Sequence, residues 1–219
     1  MKQTVGLVHA VIPAIQPLRA AFAEQAPNVQ LVNILDEGLL SEVERLGRIT
    51  PGLVRRLTTL VALAEQAGAR LVLLSCTAYS PVADQVQAQS DIPVLKIDEL
   101  MVREALGRAR RIGLVATVPA GLQMQEQLIR QLAAEIGCDV ELDTVLRPEA
   151  FKALSAGRRD EHDGLVLAAV EDLASRNELV MLAQASMGHL ADQVPASVQV
   201  PVLSSPTLAV QKVKEMLGS

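Results

Sequence analysis

The chain repeats itself at a nearly constant offset, and this restricts its architecture more than any other feature. Leu71–Val86 reads LVLLSCTAYSPVADQV, and Leu179–Val194 reads LVMLAQASMGHLADQV. Seven of the sixteen positions are identical without a gap, 108 positions apart. Ile92-Pro93-Val94-Leu95 meets Val200-Pro201-Val202-Leu203 at the same offset, and Gly6-Leu7-Val8 meets Gly113-Leu114-Val115 at 107. Three matched blocks in the same order imply a duplicated half.

Within each half, short apolar runs alternate with amphipathic stretches. The runs are Val5–Val8, Val29–Leu35, Leu71–Leu74, Val94–Ile97, Ile112–Val115, Leu179–Leu182 and Val200–Leu203. Stretches such as Leu53–Ala67 and Leu122–Ile136 have helical character, and Pro51, Pro119 and Pro206 suit first helical turns. Half of the residues are hydrophobic but only 1% are aromatic. The core is therefore built from Val, Leu, Ile and Ala, as in buried parallel strands and the helices that cover them. The pattern predicts an α/β fold of two similar doubly wound parallel-sheet halves related by a pseudo-twofold axis. The halves are expected over residues 1–98 and 99–205, with a closing helix over 206–219 packed back on the first. In such sheets ligands sit beyond the carboxyl ends of the strands. The segments after Val8, Leu74, Val115 and Leu182 are thus expected to face one cleft.

Charge and composition narrow the partners. The formal net charge is −5, with no basic stripe and one Tyr, two Phe and no Trp, which argues against nucleic acid. No apolar run approaches the length that spans a bilayer, so no membrane partner is expected. Lys2 and Val5–Val8, followed by His9 and Pro13, read as a buried strand and not as a signal peptide. Two cysteines, Cys76 and Cys138, form neither a disulfide framework nor a metal-ligand pattern. The expected setting is cytoplasmic and reduced, with no metal and no cofactor; a homo-oligomer is left open.

The chemistry concentrates on Ser75-Cys76-Thr77-Ala78, after the third strand. A thiol at a strand end before a helix start is expected to have its thiolate favoured by backbone N–H groups and the helix dipole. The alternative is a small buried hydrophobe. Cys138, in Ile136-Gly137-Cys138-Asp139-Val140, reads as structural. The repeat pairs Cys76 with Gln184, which cannot act as a general acid or base but can orient a carboxylate. Thr77 and Ser186 supply hydroxyls beside these two positions, or cap the helices that follow. His9 ends the first strand, as a base near Cys76, a cation facing a carboxylate, or a histidine satisfied by local backbone. Its repeat mate is Ala116, followed by Thr117, a further cleft hydroxyl. Tyr79 either reaches substrate or packs. Asp36-Glu37-Gly38 is a cleft loop or a solvated turn. His162 and His189 are given no catalytic role.

These motifs, with Gly113-Leu114-Val115-Ala116-Thr117, Leu182-Ala183-Gln184-Ala185-Ser186-Met187 and the Pro-Val pairs at 93–94 and 201–202, resemble the aspartate/glutamate/hydantoin racemase superfamily over the full chain. The resemblance implies a cofactor-independent enzyme acting at the α-carbon of a small carboxylic acid, with two cysteines moving protons on opposite faces of a planar carbanion. Cys76 matches the first; the second position is Gln184. Amino-acid racemases of the family end the first strand on an acidic residue, where this chain has His9. A single thiol also resembles the arylmalonate decarboxylase branch, which keeps the thiol of the second half, whereas here the first remains. The readings carried forward are a racemase-type enzyme with one thiol acid/base, a decarboxylase of a malonate-like acid, and a small-carboxylate binding protein without turnover.

Overall fold

The computed structural model describes residues 3–218. Residues 1–2 of the first expected half and residue 219 of the expected closing helix lie outside them. The first sheet draws on β1 (Thr4–His9), β2 (Gln30–Leu35), β3 (Leu71–Leu74) and β4 (Val94–Lys96). Between these strands run α1 (Ile15–Gln25), α2 (Gly38–Leu46), α3 (Pro51–Gln66) and the short α4 (Ala83–Gln87). Helix α5 (Glu99–Arg108) leads into β5 (Arg111–Ala116), α6 (Pro119–Ile136), β6 (Glu141–Leu146), α7 (Pro148–Ser155), α8 (Arg159–Ala174), β7 (Leu179–Leu182), β8 (Val202–Ser204) and α9 (Ser205–Leu217).

The two sheets have the same order, β2-β1-β3-β4 and β6-β5-β7-β8, and every pairing is parallel. Registers correspond as well. Val5 pairs with Leu71 as Ile112 does with Leu179, and Val72 with Val94 as Val180 does with Val202. The inner strands β3 and β7 are buried along their whole length, which is why they read as unbroken apolar runs. Strand β6 was not among those runs. It is a half-exposed edge strand in which Glu141 and Asp143 interrupt the apolar residues. Helix starts follow local chemistry: Thr50 accepts a hydrogen bond from the Leu53 N–H (3.3 Å) just before Pro51 opens α3.

One expected helix start is corrected. Cys76 is followed by a 3-10 turn, Thr77–Val82, with Pro81 inside it, and not directly by an α-helix. The matching segment after Gln184, Ala185–Leu190, is also 3-10. So short a 3-10 segment offers a weaker aligned dipole than the α-helix start that the thiolate argument assumes.

The halves interlock. Ala209, Val210 and Val213 of α9 join the cluster of Val5, Leu7, Leu18 and Phe22, and α9 packs on α1 and α5. Phe151 of α7 and Val118 before α6 pack with the apolar cluster on the other face of the first sheet.

The repeated glycines have a shared steric origin. A Cβ at Gly6 would lie 2.6 Å from the Ala64 Cβ and 3.1 Å from Val72 Cγ2, and one at Gly113 would lie 2.9 Å from the Leu173 Cβ. Each central strand therefore meets its covering helix, α3 or α8, where only glycine fits. Gly6→Ala is expected to cost about 1–3 kcal/mol through overpacking. Gly107→Ala in α5, where a Cβ meets nothing within 4 Å, is expected to be neutral or to stabilise by up to about 1 kcal/mol. Thermal unfolding of the two variants checks this; equal melting temperatures would contradict the close approach.

Candidate active site

The strand ends of both sheets meet at a small cavity of about 40 Å³. Cys76 and Gln184 both line it, each as the residue that opens a 3-10 turn after an inner strand. Ser75, Thr77 and Ser186 contribute the remaining polar side chains. Val11, Leu40, Val118 and Phe151 close it with apolar surface. The strand-end positions were legible in the repeat. These four apolar residues were not, because they arrive from α2, α7 and loops with no matching motif.

Gln184 is held in one orientation. Its Oε1 accepts from the Thr117 N–H (2.8 Å) and from the Thr117 hydroxyl (3.2 Å). A backbone N–H can only donate, so the carbonyl end of the amide must face Thr117. The Nε2 donor then points the other way, buried and without a protein partner. It lies against Gly121, where a Cβ would sit only 2.7 Å from it. Gln184 thus offers the cavity a neutral donor. Thr117 holds Gln184 from behind and does not itself line the cavity.

Thr77 spans the halves: its hydroxyl donates to the Ala183 carbonyl at 3.3 Å. Ser186 lies opposite, in the turn after β7. His9 does not reach the cavity lining. It is fully buried between the Ser75 hydroxyl (2.9 Å from Nδ1) and the Asn33 Oδ1 (3.0 Å from Nε2). Because Oδ1 accepts, Nε2 carries the hydrogen and Nδ1 accepts from Ser75. Burial holds the His9 pKa below its ordinary value, with the Asn33 bond opposing it. The expected cation facing substrate is therefore replaced by a neutral imidazole that orients Ser75.

The state of Cys76 also corrects the sequence reading. Burial pushes its pKa up to about 11, and the negative charge of Asp98 adds to the rise. The N–H groups of Ala78 and Tyr79 favour the thiolate as expected, but they do not offset desolvation. Unliganded Cys76 is a neutral thiol at pH 7, suited to donate a proton.

Asp98 was legible only as a boundary between the halves. It is fully buried, and the Ser80 hydroxyl lies 3.0 Å from both of its oxygens. Burial raises its pKa to about 6, opposed by bonds from the Ser80 hydroxyl and its own backbone N–H and by the charge of Lys96. It braces the turn that carries Cys76 from behind.

Other candidates lie outside the cavity lining. Tyr79 is buried and donates to the Leu39 carbonyl at 2.9 Å. Asp36 accepts from the Gly38 N–H and pairs with Arg56 at the start of α2. Cys138 follows the left-handed Gly137 that ends α6, far along the chain from the cavity-lining start of that helix. His162 and His189 flank Asp163 (2.6 and 3.0 Å) and do not line the cavity. Among the described residues, no group of three or more His, Cys, Asp or Glu is placed to hold a metal ion, and no helix is long and apolar enough to cross a membrane.

Two parallel sheets with strand ends facing across a thiol-bearing cavity define a two-sheet α/β protein. Solved structures share this fold. An aspartate racemase homologue from Pyrococcus horikoshii aligns over 100% of both chains with a TM-score of 0.72 at 18% identity. Allantoin racemase from Klebsiella pneumoniae aligns over 99% of this chain and 88% of its own, with a TM-score of 0.70 at 16% identity. Glutamate racemase from Francisella tularensis, in complex with D-glutamate, aligns over 99% and 81%, with a TM-score of 0.73 at 13% identity. At such identities the likeness is one of fold. A comparison with curated protein sequences gives no match. The sequence itself matches the Asp/Glu/hydantoin racemase family over residues 15–213, and the chain belongs to that family. It is an isomerase-type enzyme.

The buried carboxyl gives a pH test. A carboxyl whose pKa rises on folding binds its proton more tightly when folded. Its contribution to stability is complete below the unfolded value of 3.8 and is lost as pH rises through about 6. Asp98→Asn mimics the protonated form. The variant should match wild type near pH 4 and exceed it at pH 8 by on the order of 2–3 kcal/mol. Denaturant unfolding at both pH values checks this; a difference independent of pH would contradict the buried carboxyl.

Proposed function

We propose that the chain acts without a cofactor at the α-carbon of a small carboxylic acid, using Cys76 as its single cavity thiol. The observation that carries this reading is the pairing of Cys76 with Gln184 at matching positions in the lining of one cavity. Racemisation through a planar carbanion needs an acid and a base on opposite faces. Cys76 supplies one. Gln184 cannot move a proton, so its role is electrostatic: its free N–H donates to the carboxylate and to the enolate charge that develops there. Thr77, Ser75 and Ser186 add neutral polar groups around the same anion. The second face is left to a water molecule. In this reading the halves 1–98 and 99–205 part to admit substrate, because about 40 Å³ holds little more than water.

A neutral thiol favours a second reading, decarboxylation of a malonate-like acid. The bond from the α-carbon to one carboxylate breaks, carbon dioxide leaves, and the electron pair becomes an enediolate. Cys76 then delivers its proton to that carbon, and its thiolate regains a proton from solvent. This needs one donor on one face, which is what Cys76 with Gln184 provides. Binding without turnover is the outcome in which neither reaction occurs.

Small mono- and dicarboxylic acids incubated in deuterated water, read for α-deuteration and carbon dioxide release, separate these readings. Cys76→Ala is expected to lower either reaction by at least about 10³-fold, in the range of a lost proton-transfer group. Gln184→Cys is expected to raise racemisation above wild type by supplying the missing thiol. Unchanged exchange in Cys76→Ala would overturn the catalytic assignment.

A further inference from the structure

We propose that Ser75, His9 and Asn33 form a nucleophile, a base and an orienting group that hydrolyse short, uncharged acyl esters. This activity is separate from the α-carbon chemistry assigned to Cys76 and does not rest on it.

Three observations carry it. The first is geometry. The Ser75 hydroxyl lies 2.9 Å from His9 Nδ1, and His9 Nε2 lies 3.0 Å from Asn33 Oδ1. Oδ1 accepts the Nε2 hydrogen, so Nδ1 presents its lone pair to the Ser75 O–H. That is the order of a hydrolytic triad, with the ring nitrogens exchanged and an amide as third member, as in cysteine–histidine–asparagine sites. Three adjacent strands build it: His9 ends β1, Asn33 lies near the end of β2 on one side, and Ser75 follows β3 on the other. The second observation is placement. Ser75 lines the cavity, whereas His9 is fully buried behind it. The base is shielded from water and meets a substrate only through the Ser75 hydroxyl. Burial also holds the imidazole neutral, the form that accepts a proton. The third is a donor for developing charge. Gln184 lines the same cavity, and its Nε2 is buried without a protein partner. A carbonyl oxygen that gains charge there has a neutral N–H available to it.

The steps balance with water as the only co-reactant. Ser75 Oγ attacks the ester carbonyl carbon, its proton passes to His9 Nδ1, and the carbonyl electron pair moves onto oxygen. The tetrahedral adduct collapses, the bond to the alcohol oxygen breaks, and the alcohol leaves with the proton from His9. Water then attacks the acyl-Ser75 carbon and gives a proton to His9, which returns it to Ser75 Oγ as the acid departs. Asn33 Oδ1 supports the transient His9 cation by accepting from Nε2. The substrate class follows from the surroundings. The cavity is about 40 Å³ and has Val11, Leu40 and Phe151 as apolar walls, which favours a short, uncharged acyl group. Burial disfavours the His9 cation, so an alcohol that leaves with little help from an acid suits the site better than an amine.

The probe is p-nitrophenyl acetate, with the full-length Cys76→Ala chain as reference so that the neighbouring thiol takes no part. Nitrophenol release above the buffer rate is expected, as is acetyl on Ser75 in peptide mass spectrometry. Adding Ser75→Ala, or His9→Gln, is expected to lower the rate by at least about 10²-fold. Asn33 is exposed on the edge strand β2, so Asn33→Asp is compatible with folding whatever His9→Gln does. Its carboxylate favours the His9 cation. The midpoint of the rate against pH is therefore expected to move to higher pH, a change that a purely structural hydrogen bond would not produce. No release above buffer by the folded Cys76→Ala chain, equal release after Ser75→Ala, or an unmoved pH midpoint in Asn33→Asp would overturn the assignment. Ester hydrolysis is expected to persist in Cys76→Ala, where α-deuteration is lost, so the two activities fail separately.

Discussion

Burial in an uncharged cavity is the constraint on which the rest of the site depends. Two sheets bring their strand ends together, and the space between them is small and lined mostly by apolar side chains. Low polarity there penalises every charged form. Desolvation keeps Cys76 a thiol in the cavity, and burial in the packing behind it lowers the His9 pKa and raises that of Asp98. Low polarity also gives the single free donor of Gln184 its weight, since a hydrogen bond to developing charge is stronger where water is excluded. Under the function proposed above, the chemistry that such a site favours is proton transfer by a neutral acid and stabilisation of an anion by neutral donors.

Duplication explains how a fold with two equivalent strand ends came to hold two inequivalent groups. Strand order, register and the 3-10 turns agree between the halves, down to the glycine beneath each covering helix. The differences lie where the turns meet the cavity. Cys76 stands opposite Gln184, and the first turn has Asp98 behind it, where the matching position in the second half is Pro206. The amide at position 184 is integrated into its surroundings: Thr117 fixes its carbonyl, and Gly121 accommodates its amino end. A thiol at position 184 would satisfy neither neighbour in the same way. At position 184 the second half thus holds an amide fixed by Thr117 where the first half holds a thiol.

The sequence displayed the parts of this arrangement that depend on local pattern. Apolar runs mark seven strands, and the constant offset alone pairs Cys76 with Gln184. Strand β6 escaped because an edge strand alternates its faces, and Glu141 and Asp143 break the apolar run. The thiolate expectation failed for another reason. A strand-end thiol before a helix start is a local feature, whereas desolvation is imposed by Phe151, Leu40 and Val11 from distant parts of the chain. The place of His9 at a strand end is legible in the sequence, but its partners, Ser75 and Asn33, are set by the packing of three strands. Asp98 was visible as a boundary residue; nothing in its neighbours announced that it would be sealed from solvent.

The protonation state of Cys76 is the most direct measure of this account. With the Cys76 Cβ labelled by carbon-13, its chemical shift can be followed against pH in the unliganded protein. The account predicts a neutral thiol across the physiological range, titrating near 11, and a lower midpoint in Asp98→Asn, where one neighbouring negative charge is gone. A thiolate already formed at pH 7 would contradict it, and would return Cys76 to the role of a resting base.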